Sequence, residues 1–489
     1  MKSIIVLTGF GLACAVFGGP SDAADAAQRR DWQAVRALAV RKVDVNAPQP
    51  DGTTALQWAA HWNDLDAVKA LLTSGANPKV ANRYGVTPLS EAATLGNAAM
   101  IEALLAAGAD PNTMTTGDGE TVLMTASRSG SLEAVKILLS RGAEVNAKEN
   151  YRGQTALMWA AAEHHSDVVK VLLDHGADWK VQSLARETSM PKLSAASSIS
   201  PISRGGLAAF HFAAREGDVS TGRVMLEAGV DINQVDADNT SALVIAILNK
   251  RYGYAKFLLD HGADPNIADV RGRAALYAAI DMRNEDYSAL PSRKDTDPFP
   301  SLDLIEALLE RGANPNAPLI RALAGRSGMD AGDTTLGAGT TPFMRAARAG
   351  DAPAMQALLR KGADPNLTTK EGNNALQLAA GVGYRDKNTK GSESEALEAL
   401  KLTVSIGMDI NRENNRGETA LHGAASRGAD TIVRYLVEQS AKLNAKSKLG
   451  LTPLDYAMGK NVLSQLPVPH DSTVELMHKL GGVEGKDAK

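Results

Sequence analysis

The sequence predicts an all-α solenoid of about eleven helix-turn-helix units joined by β-hairpins and interrupted by loop insertions. One observation is a period. A glycine recurs ten times at the opening turn of a unit, with Gly52 to Gly85 spanning 33 residues, Gly85 to Gly119 and Gly119 to Gly153 34 each, and Gly417 to Gly450 33. Asn239 takes the glycine's place once, 33 residues after Gly206. Such a period marks units that bury their apolar faces only by stacking on neighbours. The second observation is that the same order of residues returns inside each period.

In the unit Tyr84 to Thr115, Thr87-Pro88-Leu89 starts a short helix, with a capping hydroxyl and a proline where its missing N–H is harmless. Ala92 and Ala93 are small enough for close stacking, and Ile101, Leu104 and Leu105 give a second helix its buried face. Gly108 closes that helix, ahead of Ala109-Asp110-Pro111-Asn112. The pattern returns at Thr155-Ala156-Leu157 with Gly176-Ala177-Asp178, at Thr341-Pro342-Phe343 with Gly362 to Asn366, and at Thr419-Ala420-Leu421-His422.

These residues resemble the ankyrin repeat family, whose consensus joins Thr-Pro-Leu-His, an alanine pair and Gly-Ala-Asp-x-Asn at this period. The resemblance covers about Ala24 to Gly482, with units opening near Asp51, Tyr84, Asp118, Arg152, Gly205, Asp238, Arg271, Ala338, Glu371, Arg416 and Leu449. It implies that hairpins and first helices line a concave face, and that His211 and His422 hydrogen-bond between units. Similarity to exported bacterial ankyrin repeat proteins implies support or regulation of a periplasmic enzyme.

The order along the chain is then a signal peptide at 1–23, a capping half-repeat at 24–50, repeats one to four at 51–183 and an insertion at 184–204. Repeats five to seven follow at 205–319 with an insertion at 284–300, then an insertion at 320–337, repeats eight to eleven at 338–482 and a disordered tail at 483–489. Breaks in the period locate the insertions. Gly176 to Gly206 is 30 residues where Gly75 to Gly85 is 10, and Gly272 to Gly312 is 40 where Gly85 to Gly108 is 23. Gly312 to Gly339 and Gly372 to Gly407 are lengthened likewise, the latter placing a longer interhelical loop around Tyr384 to Ser394. The serine-rich stretch 184–204, with Pro191 and Pro201, reads as a flexible loop.

Lys2, the apolar run Ile4 to Phe17 and small residues before Ala23 read as a secretory leader cleaved after Ala23, so the expected location is the periplasm or the medium. Gly11-Leu12-Ala13-Cys14 departs from a lipoprotein box at its glycine. Cys14 is the single cysteine and lies in the leader, which leaves the mature chain without a thiol nucleophile or disulfide. A net charge of −4 without a Lys/Arg block argues against a nucleic-acid partner, and nothing beyond the leader is long and apolar enough to span a membrane.

No motif carries catalysis, a cofactor or a metal. Ser189-Met190-Pro191-Lys192 matches Ser-x-x-Lys, but its proline and serine-rich surroundings oppose the helix that motif needs. His164, His165 and His175 lack a carboxylate at metal-site spacing, and Gly381-Val382-Gly383 lacks the strand and helix of a phosphate cradle. The groove offers more. Its variable pairs are His61 and Trp62, Thr94 and Leu95, Arg128 and Ser129, and Ala162 and Glu163, with Trp58 and Trp159 on the same helices. Trp58, His61, Trp62, Met124, Arg128, Trp159 and Glu163 are the expected partner-binding residues, Trp62 exposed and foremost, Trp58 and Trp159 either groove or core. The expected function is a monomeric, non-catalytic scaffold holding a partner protein. Two other readings stand beside it: an enzyme built on Asp295, Asp297, Asp330 and Asp333 of the insertions, and a secreted effector acting on a host protein.

Overall fold

The computed structural model describes residues 21–115, 117–188, 202–284, 297–323, 336–383, 391–460 and 469–487, which form two bodies, one ending at Asp178 and one beginning at Trp179. The first holds five helix pairs: α1 (Asp22–Gln28) with α2 (Trp32–Val40), α3 (Ala55–His61) with α4 (Leu65–Thr73), α5 (Pro88–Thr94) with α6 (Ala98–Ala106), α7 (Val122–Ser129) with α8 (Leu132–Ser140), and α9 (Ala156–Ala162) with α10 (Ser166–Asp174). First helices pack on first helices and second on second from pair to pair. The fold is the all-α stack that the period predicts.

Each first helix of the body after α1 starts because a threonine closes its end. Thr54, Thr87, Thr121 and Thr155 sit in extended conformation and accept from the N–H three residues on, which satisfies a donor the helix cannot. In α3, α5 and α7 the residue at that third position returns a bond: Gln57 Oε1 accepts from Thr54 N–H at 2.7 Å, then its Nε2 donates to the Val86 carbonyl of the next unit at 2.5 Å. Small, fully buried Ala59–Ala60, Ala92–Ala93 and Ala160–Ala161 let first helices approach closely. Gly108 ends α6 with φ +97°, a conformation costly for any residue with a Cβ.

The closing asparagines join units. Asn112 Nδ2 donates to the Gly142 carbonyl at 3.3 Å and its Oδ1 accepts from Glu144 N–H at 2.8 Å; Asn146 does the same with Gly176 and Asp178 at 3.0 and 2.8 Å. Asn46 ties the cap to the first repeat in this way, at 3.0 and 2.7 Å. The cap is more than the half-repeat expected of it. It is a full helix pair, and α1 buries Ala23, Ala24, Ala26 and Ala27. Cleavage after Ala23 would fall inside α1.

The second body opens with an antiparallel ladder of β1 (Arg186–Thr188) and β2 (Ile202–Arg204), where Arg186 pairs with Arg204 and Thr188 with Ile202. Ser183 and Leu207 continue the same register. The ends of the serine-rich insertion are therefore strands rather than flexible loop, because the repeat's own hairpin is extended outward in register. Residues 189–201, with the Ser-x-x-Lys motif, lie outside the described residues. The remaining pairs are α11 (Ala209–Glu216) with α12 (Val219–Glu227), α13 (Ala242–Leu248) with α14 (Tyr252–Asp260), α15 (Ala275–Arg283) with α16 (Ser301–Glu310), and α17 (Pro342–Ala349) with α18 (Ala352–Arg360). Then come α19 (Ala375–Ala380) with α20 (Glu393–Ser405), α21 (Ala420–Arg427) with α22 (Asp430–Glu438), and α23 (Pro453–Ala457) with α24 (Asp471–Leu480).

Two further segments differ from expectation. Part of the loop placed around Tyr384 to Ser394 is helix, since Ser392 caps α20 and Glu395 completes a capping box, giving 13 residues where its neighbours have nine or ten. The tail expected to be disordered is held through Asp487: Thr452 Oγ1 donates to the Val483 carbonyl at 2.7 Å, Gly485 N–H to Asp455 at 2.7 Å, and Lys460 pairs with Glu484 at 2.6 Å.

Candidate protein-binding face

Counting from the capping threonine organises the first body's inner surface. Four residues on stand Trp58, Glu91, Thr125 and Trp159, and seven on stand His61, Thr94, Arg128 and Ala162. The packed helices α3, α5, α7 and α9 put these side chains in parallel rows, for positions four and seven share a helix face.

At the cap end the rows carry an aromatic cluster. Trp58 and Trp62 stack with ring centroids 6.0 Å apart and planes 23° from parallel, and His61 meets them edge-on at 5.5 and 4.9 Å. Arg30, from the turn between α1 and α2, lies over Trp62 with its guanidinium carbon 3.9 Å from the ring centroid. Trp58 is held from the hairpin side, donating through Nε1 to Gln49 Oε1 at 2.8 Å, while Gln49 Nε2 reaches Asp25 and Gln28. His61 Nδ1 lies 3.3 Å from the Glu91 carboxylate of the next unit, with 47% of the His61 side chain exposed. Trp62 is thus half-buried rather than exposed, and its indole N–H is covered without an acceptor among the described residues.

Trp159 is separate from that cluster. Arg128 lies over it at 5.1 Å and pairs with Glu120 at 3.2 Å, and Thr125 Oγ1 also donates to Glu120. Glu163 is exposed at the end of α9. The structure brings Trp58, His61 and Trp62 together and Arg128 with Trp159. It removes Met124 from the set. Met124 is 1% exposed, and its Sδ accepts from Thr121 N–H at 3.4 Å, so it fills the capping position inside the stack and cannot reach a partner. The variable-pair register did not point to Arg30, Gln49, Glu91 or Glu120. A count of four from Thr87 finds Glu91; nothing local marks Arg30 or Gln49, which arrive from the cap and a hairpin.

The histidines at the repeat's fourth consensus position are structural. His211 and His422 are fully buried; Ala208 N–H donates to His211 Nδ1 at 3.0 Å, and Nε2 donates to the Gln234 carbonyl at 3.0 Å. His422 is bonded alike, to Thr419 N–H and the Leu451 carbonyl at 3.1 and 3.2 Å. Burial pushes His211 down to about 4 and lowers His422 as well. His165 Nε2 reaches the Arg128 carbonyl at 3.0 Å, and His175 bonds the Val171 carbonyl of its own helix.

Of the insertion carboxylates, Asp295, Asp330 and Asp333 lie outside the described residues. Asp297 serves a helix: both its oxygens accept from Gly253 N–H at 3.1 Å, at the start of α14, whose own N-cap residue Arg251 supplies no side-chain acceptor. No helix among the described residues is long and apolar enough to cross a membrane.

Stacked pairs, asparagine connectors and bridging cap residues define a repeat scaffold whose inner face varies while its framework does not. The chain belongs to the ankyrin repeat family: a model of ankyrin repeats in three copies matches residues 24–115, 108–183 and 210–318, and one of many copies matches 330–379 and 404–457. It is 29% identical to the putative ankyrin repeat protein YahD of Escherichia coli (strain K12) over 186 residues, 36% of this chain and 89% of YahD. It is 25% identical to Rabankyrin-5 of Mus musculus over 348 residues, 53% of this chain. The human ASB11 ankyrin repeat domain aligns at 24% identity and a TM-score of 0.37, over 46% of this chain and 90% of that one. The chain spans only 8% of one of its curated relatives and 30% of Rabankyrin-5. Domains of this family are generally scaffolds for protein–protein interaction.

Proposed function

We propose that this chain is an exported, non-catalytic scaffold that holds one partner protein against the first-helix face of residues 51–164, in support or regulation of an exported enzyme. The observation that carries the reading is the Trp58–His61–Trp62 cluster with Arg30 and Glu91: large side chains, fixed in place before a partner arrives, on the face the family uses for contact. Preorganised aromatic anchors need little ordering on association, so a few of them carry most of the affinity.

A photocrosslinking residue at the exposed positions 61 and 129, with position 136 on the exposed side of α8 as control, tests this in the cell. A single adduct shared by 61 and 129 and absent from 136 is expected. Equal adducts from 136, or none from 61 and 129, would refute the face. Lys2 and the apolar run Ile4 to Phe17 support export, and N-terminal sequencing of the mature chain from the periplasm and medium checks it and locates the cleavage point; a cytoplasmic chain still beginning at Met1 would remove that part.

A further inference from the structure

The face seats two of the chain's own arginines on tryptophans. Arg30 lies over Trp62, and Arg128 lies over Trp159 with its Nη2 3.2 Å from Glu120. The Arg128 site shows the full set a guanidinium needs, an indole face for its plane and a carboxylate for its N–H groups.

The corner at Trp58 repeats that set with, among the described residues, an imidazole in the place of the guanidinium. Trp58 supplies the indole, stacked on Trp62, and Glu91 supplies the carboxylate, with 24% of its side chain exposed. Among the described residues the side chain that meets Glu91 is His61, at 3.3 Å. Imidazole is a poor substitute. It is charged only when protonated and offers a carboxylate one N–H at a time, whereas guanidinium is always charged and donates in parallel pairs. His61 is also nearly half exposed, at the end of α3, so an incoming group that displaces it gives up two edge-on ring contacts while Trp58 and Trp62 keep their own stacking.

We propose that the corner of Trp58, His61, Trp62 and Glu91 receives an arginine side chain of the partner protein. The assignment rests on the scaffold reading and gives it a chemistry. The guanidinium pairs with Glu91, takes the place of the His61 ring beside that carboxylate, and lies against the tryptophan stack that Arg30 closes from the other end.

Nuclear magnetic resonance of the full chain, nitrogen-labelled, tests it through the indole N–H signals, each assigned by a single Trp→Phe change. The probe is a glycine–serine pentapeptide with a central arginine, compared with central alanine and central glutamate. The arginine peptide is expected to shift the Trp58 and Trp62 signals saturably, more weakly as salt is raised, and to leave Trp159 unmoved. Glu91→Gln should weaken binding about fivefold, the worth of one exposed ion pair, and Glu133→Gln on α8 should not change it. An equal response to the alanine peptide, salt-independent binding by the unaltered chain, or full affinity in Glu91→Gln would each overturn the proposal. Crosslinked adducts from position 61 alongside silence to the arginine peptide would remove the arginine and leave the scaffold standing.

Discussion

A unit of the second body, the one that opens at Thr341, uses two helix positions in the opposite way from units of the first body. Four and seven residues after the capping threonine, the first body has Trp58, Trp159, His61 and Arg128, all at least partly open to solvent. The second body, counting from Thr341, has Arg345 and Arg348, each 3% exposed. Arg345 pairs with Asp281 at 2.9 Å and donates to the Asn284 carbonyl; Arg348 donates to the carbonyls of Val382 and Gly383 at 3.0 and 2.7 Å. Beside them, Asp351 accepts from Arg283 and Asn284 at 2.8 Å and from Ala354 N–H. These bonds fall at the two places where residues are inserted between the helices of a unit. A position that faces outward in a plain repeat is turned, in an interrupted one, to anchoring the chain that leaves and returns.

If that division is right, its sharpest break comes from Asp351→Ala. The change takes from Arg283 and Asn284 the carboxylate they share, leaving them the Ser301 hydroxyl and the Ile280 carbonyl, and takes from α18 its cap; removing one side of a buried pair costs about 3–5 kcal/mol. Because repeats couple mainly to neighbours, the loss should appear as an earlier unfolding step confined to the second body. Hydrogen exchange across 275–360 reads it directly. A uniform loss over both bodies, or none, would show that Asp351 is no anchor.

Units are bridged by an amide at Gln57 and Gln377 and, in the second body, also by an imidazole at His211 and His422, and acid should separate the two chemistries. Gln57 closes its cap and reaches the next unit without a titrating group, while His211 does both with an imidazole held near 4, against an ordinary 6.5. The folded value is depressed, so the unfolded chain takes up the proton first. The stabilisation from neutral His211 is therefore whole above pH 6.5 and is lost as pH falls toward 4, by an amount on the order of 3 kcal/mol. His211→Gln should flatten that stretch of the stability–pH curve in the second body. Part of the slope should survive through His422, lowered by the same burial, whereas Asp455 is held below the ordinary carboxylate value and titrates beneath this stretch; a slope that survives His211→Gln and His422→Gln together would show that neither imidazole sets the acid sensitivity.

The framework was legible in the sequence because each of its devices is local. Thr-Pro-Leu, the alanine pair and the closing glycine act within a few residues, and the period repeats them often enough to leave no doubt of the stack. What was not legible depends on contacts between distant segments. Met124 lies on a groove helix but stands at the third position after Thr121, a position taken by Gln57, Ser90 and His211 in other units, and all of these turn inward. Arg30 and Trp62 are brought together by the cap, and β1 and β2 by a register that a serine-rich composition does not announce.

Trp62→Ala measures how far the first body's aromatic cluster serves binding rather than folding. Its ring is half-buried between Trp58 and Arg30, so truncation loses part of a stack and a cation–π contact, about 2 kcal/mol in all. Partner affinity should fall by a larger factor than that stability loss implies. Calorimetry of unfolding and titration with the crosslinked partner, once purified, give the two numbers; a stability loss that matches the affinity loss would make Trp62 a cap-holding residue instead.

The smallest effect tests whether the insertions act as anchors at all. Asp297 is the described end of the segment between α15 and α16, and it caps α14 because Arg251 offers that helix no acceptor of its own. Asp297→Ala should cost about 1 kcal/mol, the usual worth of a cap, and speed exchange at the Gly253 amide far more than at α13, one helix away. Asp297→Asn keeps an acceptor oxygen and should restore most of the loss, since neutral side chains cap nearly as well as charged ones. Unchanged exchange at Gly253 in Asp297→Ala would mean that the segment rests against α14 without holding it.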